Sequence, residues 1–60
     1  MKVRHPIFNE VFEQMPDGLV RVDDLDTGRV GYFDGEGHHV SGELTYADPQ
    51  LLKWVGGRTN

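Results

Sequence analysis

Two short polar segments, each flanked by runs of β-branched and aromatic residues, limit what this chain can become more than any other feature. Asp24-Leu25-Asp26-Thr27-Gly28 and Asp34-Gly35-Glu36-Gly37 carry the aspartates and glycines of tight turns, where glycine supplies the positive φ that hairpin connections need. The runs they separate, residues 19–23, 29–33 and 38–46, hold Val20 and Val22, then Val30, Tyr32 and Phe33, then Val40, Leu44 and Tyr46. That is the composition of strands. Links this short join strands that run antiparallel, so a three-stranded meander from Leu19 to Tyr46 is expected.

Register follows from the pairing that gathers apolar side chains, because a slip of one residue turns every side chain to the other face. Pairing Val22 with Val30 and Val20 with Tyr32, then Tyr32 with Val40 and Gly28 with Leu44, collects the three strands' valines, Tyr32 and Leu44 on one side. The reverse side then carries Leu19, Phe33 and His39 in one row, Arg21, Gly31 and Ser41 in a second, and Asp23, Arg29 and Glu43 in a third. A four-residue first turn would instead bring Phe33 inward.

The flanks read as helices. His5-Pro6 opens the first, since proline suits the first helical position, and Ile7, Phe8, Val11, Phe12 and Met15 fall within one apolar arc. That spacing predicts a helix over residues 6–15, ended by Pro16-Asp17-Gly18. Met1 to Arg4 is a polar, basic lead that frays unless it joins the sheet edge. Near the other end, Asp48 caps and Pro49 begins a short helix over residues 49–55. It turns Leu51, Leu52 and Val55 one way, with Trp54 at the margin of that stripe and Gly56-Gly57 as the stop. The expected fold is α+β: a three-stranded antiparallel meander with an N-terminal helix and a short C-terminal helix on one face, in the order α-β-β-β-α, residues 1–60 forming one small domain.

A chain of sixty residues buries little surface. With no cysteine it has neither disulfides nor thiolate zinc sites to compensate, so packing or a partner has to stabilise it. Ten acidic side chains against six dispersed basic ones give a net charge of −4, which argues against phosphate-backbone binding. The α-β-β-β-α order is shared with double-stranded-RNA-binding domains, yet Pro49-Gln50-Leu51-Leu52-Lys53 lacks the basic cluster those domains carry at the start of their last helix. No apolar run reaches the roughly 18 residues of a membrane span, and Met1-Lys2-Val3-Arg4 is no secretory lead. A cytoplasmic location is expected, with no nucleic acid and no membrane among the partners.

Chemistry-bearing patterns are sparse. His38 and His39, beside Asp34 and Glu36, invite a metal, but adjacent residues of a strand point to opposite faces. The Asp23 to Gly28 run places Leu25 where a calcium loop needs an oxygen ligand. Ser41 and His39 share the reverse face without a pocket, and no nucleophile motif surrounds them. Gly35 and Gly37 join strand to strand, unlike a phosphate loop. No catalytic residue, metal or cofactor is expected, and the chain does not read as a stand-alone enzyme.

The remaining signal is a contact surface. Leu19, Phe33 and His39 form a row on the open side, Arg21 and Arg29 lie beside them, and Trp54 stands at a helix margin. These six residues are the expected partner-binding set, for another protein or for a second copy of the chain in a homo-oligomer. The alternative is an accessory subunit of a larger enzyme that lends His38 or His39 to its active site.

Overall fold

The computed structural model describes residues 2–56. Among them the chain forms β1 (Lys2–Arg4), β2 (Glu10–Gln14), β3 (Val20–Asp24), β4 (Val30–Phe33), β5 (His39–Gly42) and α1 (Pro49–Gly56). The strands make one antiparallel sheet in the order β1-β2-β3-β4-β5. The architecture is therefore a five-stranded antiparallel sheet with one short C-terminal helix, and the expected three-stranded meander with an N-terminal helix is incorrect.

The segment predicted as a helix over residues 6–15 is instead a turn followed by β2. A helix of about ten residues is marginal on its own in water, and a short apolar run satisfies either period. What decides is pairing far along the chain: β2 lies between two partners, with Val3 opposite Phe12 on one side and Phe12 opposite Val22 on the other. Phe12 becomes fully buried there, and the lead residues Lys2–Arg4 become the sheet edge.

Register between β3 and β4 is also one residue away from the expected pairing. Val20 faces Phe33 and Val22 faces Gly31, because Asp24 belongs to the strand and closes a four-residue turn. Its N–H donates to the Arg29 carbonyl at 2.8 Å, and its carbonyl accepts the Gly28 N–H at 2.8 Å. The Asp24 carboxylate then accepts the Asp26 and Thr27 N–H groups, so the aspartates that resemble a calcium loop serve the turn. Phe33 is consequently 1 % exposed and belongs to the core, while Val30 and Tyr32 turn outward.

The predicted third strand, residues 38–46, is cut at Gly42. A register shift opposite Tyr32 and Phe33 leaves Val40 as an extra residue, so that His39 pairs with Phe33 and Ser41 with Tyr32. These partners face opposite sides of β4, which separates the expected Ser41–His39 pair. Gly42 then adopts φ +94°, and the chain crosses over the inner face. A Cβ on Gly31 would lie 2.1 Å from the Leu44 carbonyl oxygen, and one on Gly42 would lie 2.4 Å from that of Val30. Two glycines paired across the strands make that crossing sterically possible.

The helix arrives as the sequence spells it, from Asp48 and Pro49. Its Leu52, Val55 and Gly56 are buried against the sheet, and Leu52 and Val55 form the hydrophobic core with Phe12, Val20, Val22, Phe33 and Ala47, supported by Val3, Leu44 and Leu51. The opposite sheet face has no cover among the described residues. It carries the in-register row Lys2, Glu13, Arg21, Tyr32 and Ser41. No helix among the described residues is long and apolar enough to cross a membrane.

Candidate binding site

The corner where the β1–β2 connection meets the start of α1 is built around His5. Its ring Nδ1 accepts the N–H groups of Ile7 and Phe8, both at 3.0 Å. A nitrogen that accepts carries no proton, so the hydrogen of the neutral ring sits on Nε2. That N–H donates to Asp48 Oδ2 at 2.9 Å. His5 is 6 % exposed, and its ring lies 4.9 Å from that of Phe8 and 6.2 Å from that of Phe12.

Asp48 completes the corner from the other side. Its Oδ1 accepts the Gln50 N–H at 2.9 Å, capping a helix whose first residue, Pro49, has no N–H to satisfy. One carboxylate thus fastens the helix start and the β1–β2 connection together. The His5 hydrogen bond first, and the Gln50 N–H second, hold the Asp48 carboxyl below the usual aspartate range. Although an Asp–His pair is common in proton-transfer sites, the free end of this imidazole is already occupied by two backbone donors. Its local role is structural.

That role has a consequence for the side chains around it. Closing the connection through His5 leaves Ile7 and Phe8 facing solvent, and the extended run into Asp48 leaves Tyr46 outside as well. Ile7 is 81 %, Phe8 59 %, Tyr46 72 % and Trp54 49 % exposed. Two adjoining clefts share Asp48. One, of about 390 Å³, is walled by Pro6, Ile7, Leu51 and Trp54; the other, of about 200 Å³, by Phe8, Glu10, Tyr46 and Asp48.

Glu10 introduces the one polar irregularity of the corner. Its Oε1 is out of contact with water and has no hydrogen-bond partner among the described residues. Burial foremost, and the nearby Asp24 carboxylate second, push its carboxyl above the ordinary glutamate value. The connection itself is pinned from outside by Asn9, whose side chain bonds Arg4 and Asp26 and whose carbonyl accepts the Leu25 N–H.

Of the six residues expected to meet a partner, only Trp54 lies at this corner. Leu19 is half-buried after the Pro16-Asp17-Gly18 turn, and Arg29 is exposed beside the β3–β4 turn. Arg21 is on the uncovered sheet face, where two N–H groups reach Asp23 Oδ1 at 3.3 and 3.2 Å; this bond raises the Arg21 pKa. Phe33 is in the core and cannot serve as an exposed anchor. His39 is exposed, its ring edge-on to Phe33 at 5.6 Å and its Nε2 3.0 Å from the Gly42 carbonyl.

The histidine-carboxylate groups of the last turn stay local. His38 Nδ1 lies 3.2 Å from Asp34 Oδ2, and Asp34 Oδ1 accepts the Glu36 and His38 N–H groups at 2.9 Å each. These bonds, the His38 N–H first, lower the Asp34 pKa. Among the described residues no three His, Asp or Glu side chains are grouped to hold a metal ion.

His5, Ile7, Phe8, Glu10 and Tyr46 escape sequence reasoning. The signal that marks them is Pro6 and Asn9 bracketing two bulky apolar residues, which is the layout of a tight connection as much as of a helix start. Compared with known proteins, the chain matches no protein-family model, no curated protein and no solved structure.

Proposed function

We propose that the protein is a small non-enzymatic binding module whose partner is another protein, held at the corner formed by Ile7, Phe8, Tyr46 and Trp54. One observation carries this. Among the described residues, four of the six large apolar side chains that stand about half exposed or more lie around a single part-buried histidine-carboxylate bond. Scattered exposed apolar residues need no explanation, whereas clustered ones, three of them aromatic, are what contact surfaces are made of. The clefts between them give a partner side chain somewhere to seat.

Trp54 is the chain's single tryptophan and reports on the site directly. Proteins retained from the native host by the immobilised chain are purified and titrated back. Binding at this corner should shift Trp54 emission to the blue as water leaves the ring. Tight binding with unchanged emission would place the partner elsewhere. A sizing column run first separates association with a second copy from association with another protein.

A second reading, an accessory subunit that lends a histidine to a larger enzyme, is favoured by the exposed His38–Asp34 pair. Replacing His38 and His39 together by alanine should then abolish the complex's activity and leave the complex intact. Retained activity would remove that reading.

A further inference from the structure

We propose that the smaller cleft, between Phe8 and Tyr46, is a subsite for the cationic end of a lysine or arginine side chain on the protein partner; this rests on the binding role assigned to the corner. The cleft is lined by two exposed aromatic residues, Phe8 and Tyr46, and two acidic ones, Glu10 and Asp48. Ring faces and carboxylates both attract a cation, and neither has reason to attract an anion. The alkyl stem behind the charge contacts the rings, as lysine and arginine stems do on apolar surfaces.

Two features narrow the occupant further. The cleft, at about 200 Å³, is smaller than the roughly 300 Å³ or more that whole small-molecule ligands take, but it is of a size for the end of one side chain. A metal ion would need more oxygen or nitrogen ligands than the corner offers, and no group of three candidate ligands exists among the described residues.

Glu10 indicates what is missing. It lines the cleft, and its Oε1 has no donor among the described residues. Oε1 as it stands is closed to water, so meeting an incoming N–H takes a rotation about the glutamate's soft last torsion. Asp48 has both oxygens committed, to His5 and to the Gln50 N–H, and contributes field more than a free acceptor. At longer range the net charge of −4 favours approach of a basic segment. The larger cleft alongside, with Ile7 and Trp54, takes an apolar neighbour of that cation on the same segment.

The test uses three capped amino acids titrated into the isotope-labelled chain and followed on the Phe8 and Tyr46 ring resonances: Nα-acetyl-lysine-N-methylamide, its arginine counterpart, and the norleucine counterpart, which keeps the stem and lacks the charge. The two cationic probes should give saturating shifts at both rings, with norleucine at least about tenfold weaker, the step that separates a favourable cation contact from stem burial alone. Glu10→Gln should remove that preference. By reciprocity the lysine probe should also lower the titration midpoint of Glu10 while norleucine leaves it in place. Equal binding of lysine and norleucine, shifts that do not saturate, or no shift at either ring would each overturn the subsite. The parent proposal is judged separately by Trp54 emission on partner binding, so either can fail while the other stands.

Discussion

The helix-covered middle of the sheet and the His5 corner are held by different forces, and the difference separates what this chain needs for folding from what it leaves for contact. In the middle, Phe12, Val20, Val22 and Phe33 meet Leu52 and Val55 with essentially no exposure. At the corner the large apolar groups stand outside, and the joint is polar: one imidazole with two acceptor bonds, and one carboxylate shared between that imidazole and a helix cap. Burial fixes the sheet and helix to each other. The hydrogen bonds fix the angle at which Ile7, Phe8, Tyr46 and Trp54 are shown to solvent.

This contrast breaks most visibly in the middle. Phe33→Ala should cost about 3–5 kcal/mol out of a total of roughly 3–9 kcal/mol for a domain of this length. A urea or thermal melt should therefore show the largest loss of stability among these single substitutions, with a midpoint far below the parent's. A variant melting close to the parent would mean that Phe33 is not enclosed.

His5→Ala comes next, at about 2 kcal/mol, because it orphans the Ile7 and Phe8 N–H groups and removes a donor from Asp48. Hydrogen exchange sharpens the point: protection should fall at Ile7 and Phe8 and persist in β3 and β4. Uniform loss across the sheet would show that the corner and the middle are one unit.

How far these regions could be foreseen follows from how local their causes are. The β3–β4 and β4–β5 turns and the α1 start were legible because Asp24, Gly28, Asp34, Gly37, Asp48 and Pro49 act on neighbours within a few residues. One residue of ambiguity at Asp24, strand end or turn, was enough to exchange Tyr32 for Phe33 in the core. The N-terminal hairpin was not legible, since Phe12 fits a helical arc until Val3 and Val22 are known to flank it. The His5–Asp48 bond spans 43 positions of sequence, and nothing in either neighbourhood announces the other. Only Trp54, at the margin of its helix stripe, pointed toward the corner.

Acid separates the regions more gently. The lowered Asp48 pKa means that its ionised form is favoured by the fold. Its contribution is fully present above the range where an unfolded aspartate titrates, and is lost as pH falls through the lower folded value. Glu10 has the opposite sign: its raised pKa means that the protonated form is favoured. Its contribution is present below the unfolded glutamate range and is lost as pH rises through the raised folded value. Stability against pH should thus rise and then dip across the acid range. Asp48→Asn should reduce the rise, to which the lowered Asp34 pKa also contributes, and Glu10→Gln should flatten the dip. The core variant Val22→Ala should keep both limbs while lowering the whole curve. Limbs that survive both carboxylate substitutions undiminished would assign them to other groups.

Smallest of all should be the effect on folding of the displayed side chains. Phe8→Ser and Trp54→Ser together should change stability by less than about 1 kcal/mol, although Phe8 lies against the His5 ring. A matched control exists in Val40, equally exposed at 51 % but on β5, the opposite edge of the sheet from β1.

The most direct measurement is the affinity of a purified partner for the parent chain, for Val40→Ser, and for the Phe8→Ser/Trp54→Ser pair, all checked for equal melting. Val40→Ser should bind as the parent does. The double variant should lose about 700-fold or more, which is what two central anchors at about 2 kcal/mol each would remove together. Undiminished binding by the double variant, or an equal loss in Val40→Ser, would contradict a corner built to be touched.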